Sequence, residues 1–359
     1  MIICRNDFRE IAEKENSHTQ NIGFKLFKMN FRTTISTSPQ PGYLRHSQPI
    51  LLLGSCFAEN IGRKLQEKKF DIDLNPFGTL YNPYSIADAI DRIAKGQTVT
   101  PDELFEQNGA WHSFAYHSRF SHPDRSTALF EMNRRLQQAH ERMKSVRHIF
   151  ITFGTAYVYV LHETGQVVAN CHKVKANRFD RRRLTVDEIV ARWKECIARL
   201  DECAPDAHIL FTVSPIRHLS DGMHDNQLSK ATLLLAIDRI CQQFGHCSYF
   251  PSYEIVMDDL RDYRFYESDM AHPTATAVDY IDQIFENTYF DEETRQIARR
   301  WEKIAAALQH RPLVPQSESY RTFLSNTLQQ IQELKQRYPF LDMEKEISET
   351  RSKLNTLCV

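Results

Sequence analysis

Three side chains of this 359-residue chain have the types and spacing of an acyl-transfer centre: Ser55, Asp269 and His272. A serine hydroxyl is a poor nucleophile until a base takes its proton, and that base needs a group to orient it. Asp269 and His272 are three apart on one turn, so the carboxylate can hold one ring nitrogen while the other faces outward. Ser55 ends the stretch Ile50-Leu51-Leu52-Leu53-Gly54-Ser55 and is followed by Cys56. Cys56 has two readings: a reactive thiol at a helix start, or a small apolar packing residue.

The elements that must position these groups are legible around them. Ile50 to Leu53 is a short apolar run, as expected of a strand buried on both faces of a parallel sheet. Ala58, Ile61 and Leu65 then repeat at helical spacing. A strand that turns into a helix through Gly-Ser puts the Ser55 hydroxyl at the carboxyl edge of the sheet, beside free N–H groups that favour negative charge. The alternative is a tight turn whose serine only caps the helix. Further strands are expected at Phe70–Leu74, His148–Phe153, His208–Val213 and Ser248–Phe250, with helices between them. The segment Asn75-Pro76-Phe77-Gly78-Thr79-Leu80-Tyr81-Asn82-Pro83 is too proline-broken for a helix and suits a wall of a site. Residues 96–125 read as an insertion, its aromatics and two histidines (His112, His117) making a packed lid rather than a metal site. Tyr157–Leu161 and Val167–Ala169 read as a hairpin around Thr164-Gly165. The basic run 177–183 reads as a solvated loop, with a phosphate- or carboxylate-binding patch as the alternative. Pro273 is expected at a first helical position, leaving His272 at the entrance of a helix from Ala275.

The repeated strand–helix order predicts an α/β fold, a three-layer sandwich about a parallel sheet, in which Ser55, Gly78, Gly154, Ser214, Asp269 and His272 can meet at one edge. From Asp291 on, the chain reads as helices near 292–308, 319–337 and 343–354. These form an appendage that covers the domain or pairs with another copy of the chain. The division expected is an extension over 1–28, with Met29 as an alternative start, a domain over 29–289 and the helical appendage over 290–359.

The formal net charge of -1 argues against a broad nucleic-acid-binding face. No apolar run approaches the roughly 20 residues of a membrane span. The eight cysteines form no C-x-x-C pair, which is expected of reduced thiols in a cytoplasmic protein.

Gly54-Ser55-Cys56-Phe57-Ala58 resembles the motif that names the GSCFA family, which is similar to a branch of the SGNH/GDSL-type hydrolases. The resemblance runs from about Phe31 to Tyr289. It includes Asn75–Pro83, Phe153-Gly154-Thr155-Ala156, Val168–Lys173, Ser214-Pro215-Ile216-Arg217-His218 and Asp269-Met270-Ala271-His272-Pro273. It implies a flavodoxin-like, SGNH-type sandwich with Ser55 as nucleophile, His272 as base and Asp269 as its orienter. The backbone N–H groups of Ser55 and Gly78 would hold the oxyanion. Two departures stand out: Gly54 occupies the place of the Asp that precedes the SGNH serine, and Gly154-Thr155-Ala156 lacks the third-block asparagine. Asn170, through its amide, is one candidate for the missing side-chain oxyanion donor and Thr155 another, with a plain turn as the alternative for Asn170. His172, Lys173, Arg217 and His218 could line a pocket for an anionic or polyhydroxylated substrate. The expected activity is hydrolysis of a small or carbohydrate-linked acyl ester without metal or organic cofactor; a binding protein without turnover, an acyltransferase and a Cys56-dependent enzyme are the alternatives.

Overall fold

The apolar run after Pro49 is a strand, β1 (Ile50–Gly54), and all five of its residues are buried. The computed structural model describes residues 32–40 and 42–357, so the expectations for 1–28 and for Met29 lie outside the described residues. From Thr34 onward the chain is one compact unit.

In chain order β1 is followed by α1 (Cys56–Glu67), β2 (Ile72–Leu74), α2 (Pro83–Lys95), β3 (Leu104–Gln107), β4 (Ala110–Ser113), α3 (Arg125–Met143) and β5 (His148–Phe153). Next come β6 (Tyr157–Leu161), β7 (Val167–Val168), β8 (Phe179–Arg183), α4 (Val186–Cys203), β9 (His208–Val213), α5 (Met223–Gln243) and β10 (Cys247–Tyr249). A short α6 (Ser252–Glu254) precedes α7 (Ala275–Tyr289), α8 (Glu292–Gln309), α9 (Glu318–Arg337) and α10 (Glu344–Thr356).

The central sheet is parallel, in the order β10-β9-β5-β1-β2. Counted along its own strands this is the 2-1-3-4-5 order of a flavodoxin-like sheet, whose ligand crevice lies beyond the carboxyl ends of β1 and β5, where the strand order reverses. The run of leucines is explained by the layers on either side. Leu51 and Leu53 pack with Ile149, Ile151, Phe153 and Phe211 into a core that α2 to α5 cover. Ile50 and Leu52 face the opposite way, with Phe150 and Leu210, against Phe57, Ile61 and Leu65 of α1 and Ile281 and Phe285 of α7. Each such side chain contributes roughly 1.5–3 kcal/mol on burial.

Helices α1 and α7 share this second layer, and both begin at the carboxyl edge of the sheet. Lys64 pairs with Asp279 at 2.5 Å, and buried Lys68 pairs with Asp282 and with Glu286. These pairs fix the entrance of α7 relative to the entrance of α1, which is how two segments more than 200 positions apart share one rim. Helices α8 to α10 build a separate small core from Ile297, Trp301, Ile304, Ile331, Leu334, Tyr338 and Ile347. Lys69 joins it to the sandwich, pairing with Glu346 at 2.7 Å and lying over the Trp301 ring.

Two sequence expectations are corrected. The basic run is not a loop: Phe179–Arg183 is β8, an edge strand antiparallel to β6. Phe179 is buried with Leu161 and Val168, while Arg181 lies 3.9 Å over the Tyr157 ring. Charged side chains on such an edge block pairing with a further chain. Pro273 is not a first helical residue: it bridges Tyr266, and Thr274 is the cap, accepting from Ala277 N–H. The six cysteines among the described residues are unpaired thiols. No helix among them is long and apolar enough to cross a membrane.

Buried histidines, His46 and His148 among them, make stability depend on pH. Burial pushes His46 and His148 down to about 4, although His46 Nε2 meets the Lys68 carbonyl and His148 Nε2 meets Gln48 Oε1. The ordinary value is about 6.5, so between 6.5 and 4 the unfolded chain binds protons that the folded chain refuses. Stability is therefore full above about pH 6.5 and falls as pH drops toward 4, by up to about 1.4 kcal/mol per pH unit for each histidine. Urea unfolding at pH 7.5 and pH 5 checks this. His148→Gln should flatten the slope by close to one proton, and an unchanged slope would remove His148 from the account.

Candidate active site

The crevice rim is organised by Gly54. Its N–H donates to Asn75 Oδ1 at 3.0 Å, and its carbonyl accepts from Leu80 N–H at 3.0 Å. The neighbouring carbonyl of Tyr81 accepts from Gly154 N–H at 2.7 Å and from Thr155 N–H at 3.0 Å. The proline-broken segment 75–82 thus clamps the ends of both β1 and β5, the wall its composition suggested. Asn75, at φ 44, is fully buried; the sequence placed it in this wall but gave no role to its side chain.

Ser55 is the N-cap of α1, but its side chain does not cap the helix. It is 2% exposed, and its Oγ has no hydrogen-bond partner. Cys56 is the first residue of α1 and half-buried.

Asp269 and His272 lie in the loop before α7. Asp269 Oδ1 accepts the N–H of Ala271 at 2.9 Å and of His272 at 3.0 Å, and Oδ2 meets His272 Nδ1 at 2.6 Å. The His272 N–H, then the Ala271 N–H and the imidazole, hold the Asp269 carboxyl down at about 2. The other ring nitrogen, Nε2, stands 3.8 Å from Cys56 Sγ. The structure therefore brings Asp269 and His272 to the β1–α1 turn. The side chain met there is Cys56 rather than Ser55.

Around this line stand two further groups singled out in the sequence. Arg217 Nη2 donates to Tyr266 Oη at 3.0 Å, with its guanidinium over that ring, and Arg217 N–H reaches the Ala271 carbonyl. Burial, with Lys230 adding to it, pushes His218 down to about 4, and its backbone N–H is held by Asn226 Oδ1 at 3.0 Å. Lys230, on α5, had no part in the sequence reading. Its Nζ donates to the carbonyls of Gly154 at 2.6 Å and Ser214 at 2.7 Å, tying together the ends of β5 and β9. Complete burial brings its ammonium down to about 7. The available signal was a lysine on the inward stripe Asn226, Lys230, Leu233, Ile237, a charged residue on a buried helix face.

Other expected site residues have different places. Gly78 N–H is occupied, donating to the Asn75 carbonyl at 2.8 Å, so in this conformation it is not a free oxyanion donor. Gly78 is needed for its φ of 81 and for its fit against His117, where a Cβ would fall 3.0 Å from Cγ and nearer still to the His117 Cβ. Asn170 Oδ1 accepts His172 N–H at 2.9 Å, closing a turn that supports φ 48 at His172 and φ 59 at Lys173. His172 is buried in the insertion, its Nε2 facing the carbonyls of Ser113 and Tyr116, and burial lowers its pKa. Lys173 is exposed beside it. Thr155 Oγ1 bonds Ser229 Oγ and accepts Tyr157 N–H. Asn170→Ala is therefore expected to cost about 1 kcal/mol of stability, with kcat retained; parallel unfolding and activity measurements would expose a catalytic role as a loss of kcat at unchanged stability.

A cavity of about 930 Å³ opens elsewhere, between α2 (Asp88, Arg92), the insertion (Phe105, Phe114) and the β6–β7 hairpin (Gln166). No group of three or more His, Cys, Asp or Glu among the described residues is placed to hold a metal ion.

A family model described as the GSCFA family matches residues 49–285, which hold the whole sheet and every residue of the rim. The chain belongs to the GSCFA family. A second model, the C-terminal domain of GSCFA domain proteins, matches residues 301–356, most of the α8–α10 unit. No curated protein matches the sequence. Among solved structures, this GSCFA chain is similar at 15% identity to a Corynascus thermopiles (Myceliophthora fergusii) carbohydrate esterase family 2 enzyme with its carbohydrate-binding domain. That alignment has a TM-score of 0.25 and covers 43% of this chain and 37% of the other.

Proposed function

We propose that this GSCFA protein hydrolyses esters of a small or carbohydrate-linked acyl group through an acyl-enzyme formed on the turn after β1. The observation that carries the reading is the line from Asp269 Oδ2 through His272 to Cys56 Sγ, with contacts of 2.6 Å and 3.8 Å. A charged carboxylate fixes the imidazole tautomer, so that Nε2 is the nitrogen free to accept a proton. The turn offers two nucleophiles, Ser55 and Cys56, and the reading stands with either. His272 takes the proton of the attacking group, returns it to the leaving alcohol, and then activates the water that releases the acid. The first N–H groups of α1 have no intrahelical acceptor and favour an oxyanion beside them. Arg217 and His218 flank the approach to the imidazole.

Hydrolysis of p-nitrophenyl acetate by the full chain tests this, with His272→Ala alongside. Turnover that His272→Ala lacks supports it. No turnover and no covalent adduct would leave a ligand-binding protein instead, the reading favoured by the occupied Gly78 N–H and by the absence of a third-block asparagine.

A further inference from the structure

We propose that Cys56, and not Ser55, is the nucleophile, so that the centre is a Cys56–His272–Asp269 thiol triad and its covalent intermediate is a thioester. This rests on the acyl-enzyme reading above and names the atom that carries the acyl group.

Four observations converge on the sulfur. His272 Nε2, the nitrogen that Asp269 leaves free, is 3.8 Å from Cys56 Sγ, a normal separation for a contact to sulfur. Ser55 Oγ has neither this partner nor any other, and the residue is 2% exposed. Cys56 is the first residue of α1, where the N–H groups of Cys56 and Phe57 face its own sulfur and favour negative charge there. The fourth is Lys230, whose Nζ is buried beneath the rim on two strand-end carbonyls and, when protonated, favours a Cys56 thiolate. The His272 side chain is 47% exposed, so a substrate carbonyl can approach the sulfur from the open side of the imidazole.

Burial pushes the Cys56 thiol up, against the helix-start N–H groups and Lys230. The resting group is therefore a thiol, and His272 must remove its proton during attack rather than before it. As Sγ bonds to the ester carbonyl carbon, the S–H proton passes to His272 Nε2 and the carbonyl electron pair moves onto oxygen. Collapse breaks the carbon–alkoxide bond, and Nε2 gives its proton to the alkoxide. Water then adds to the thioester with loss of a proton to Nε2, the C–S bond breaks, and the thiolate recovers that proton as the acid departs.

The test is intact-mass and peptide-mass analysis of the full chain, acid-quenched during turnover of p-nitrophenyl acetate, for wild type, Ser55→Ala, Cys56→Ala and Cys56→Ser. Wild type and Ser55→Ala are expected to gain one acetyl group on the peptide containing Cys56, removable by neutral hydroxylamine as a thioester is. Cys56→Ala should gain none and lose at least about a hundredfold in turnover. Cys56→Ser, nearly isosteric, guards against a folding artefact and should show any residual adduct as a hydroxylamine-resistant ester. Iodoacetamide should alkylate Cys56 faster in wild type than in His272→Ala, a difference that a merely packed thiol would not show. An acetyl group that persists in Cys56→Ala and vanishes in Ser55→Ala would overturn the thiol assignment and leave the acyl-enzyme reading intact. Absence of acetylation and turnover in wild type would overturn both.

Discussion

Replacing His272 with alanine is expected to lower acyl-ester turnover by about 10²–10⁴-fold while moving the unfolding midpoint very little. The imidazole is half-exposed, and its side-chain contacts are with Asp269 and Cys56, so deletion removes a base without opening a cavity. Asp269→Asn is the finer probe. An amide can still accept the N–H groups of Ala271 and His272 at one oxygen, which preserves the loop, but it no longer presents a second carboxylate oxygen to Nδ1. Its loss should appear in kcat more than in stability. The sign of the pH dependence follows from the depressed carboxyl. Held near 2, Asp269 stays charged through the working range, and its support is lost only as pH falls through about 2. Any fall in rate between pH 7 and 4 therefore reports another group. A rate profile for wild type and Asp269→Asn, with circular-dichroism melts, measures both parts. A His272→Ala variant with wild-type turnover would end the catalytic account.

Gly54→Ala is expected to be the most disruptive single methyl group in the sheet. Gly54 pairs with Thr152 on β5, and an added Cβ would lie 2.8 Å from the Thr152 Cβ and closer still to its carbonyl oxygen. That oxygen belongs to the backbone of the neighbouring strand and cannot swing away. Relief requires parting β1 from β5 at the rim, against the clamp that Asn75 and Leu80 place on Gly54. Gly54 also sits at φ 150, a region that costs a side chain further strain. Overpacking and strain together predict a loss of about 2–6 kcal/mol. The displaced turn should also forfeit covalent labelling of the rim under conditions where the chain is still folded. Urea unfolding and adduct formation on the same preparation check both. A variant with the wild-type midpoint would show that the strands can separate freely, and that the clamp is not a constraint.

The sequence alone settled the sandwich, because it depends on patterns repeated within short windows. Four successive apolar residues at Ile50–Leu53 require a layer on each face, and Ile50 and Leu52 do separate from Leu51 and Leu53 into opposite cores. The three C-terminal helices were legible from helical spacing. So was the Asp269–His272 pair, because a separation of three within one loop is local chemistry. The edge strand β8 was not, since Asp180–Arg183 are all charged and exposed, which leaves no alternation to read, and the segment becomes a strand only through pairing with β6. Tertiary structure also decided which side chain His272 meets. Ser55 and Cys56 are adjacent in the chain, but Ser55 is the extended N-cap residue of α1 and Cys56 its first helical residue, so their side chains leave the backbone in different directions. Only the packing of α7 on α1, held by Lys64 and Lys68, determines which direction the imidazole meets. Lys230 and the committed N–H of Gly78 were hidden for the same reason: their partners are carbonyls, which every residue carries, and only the folded backbone says which ones point inward.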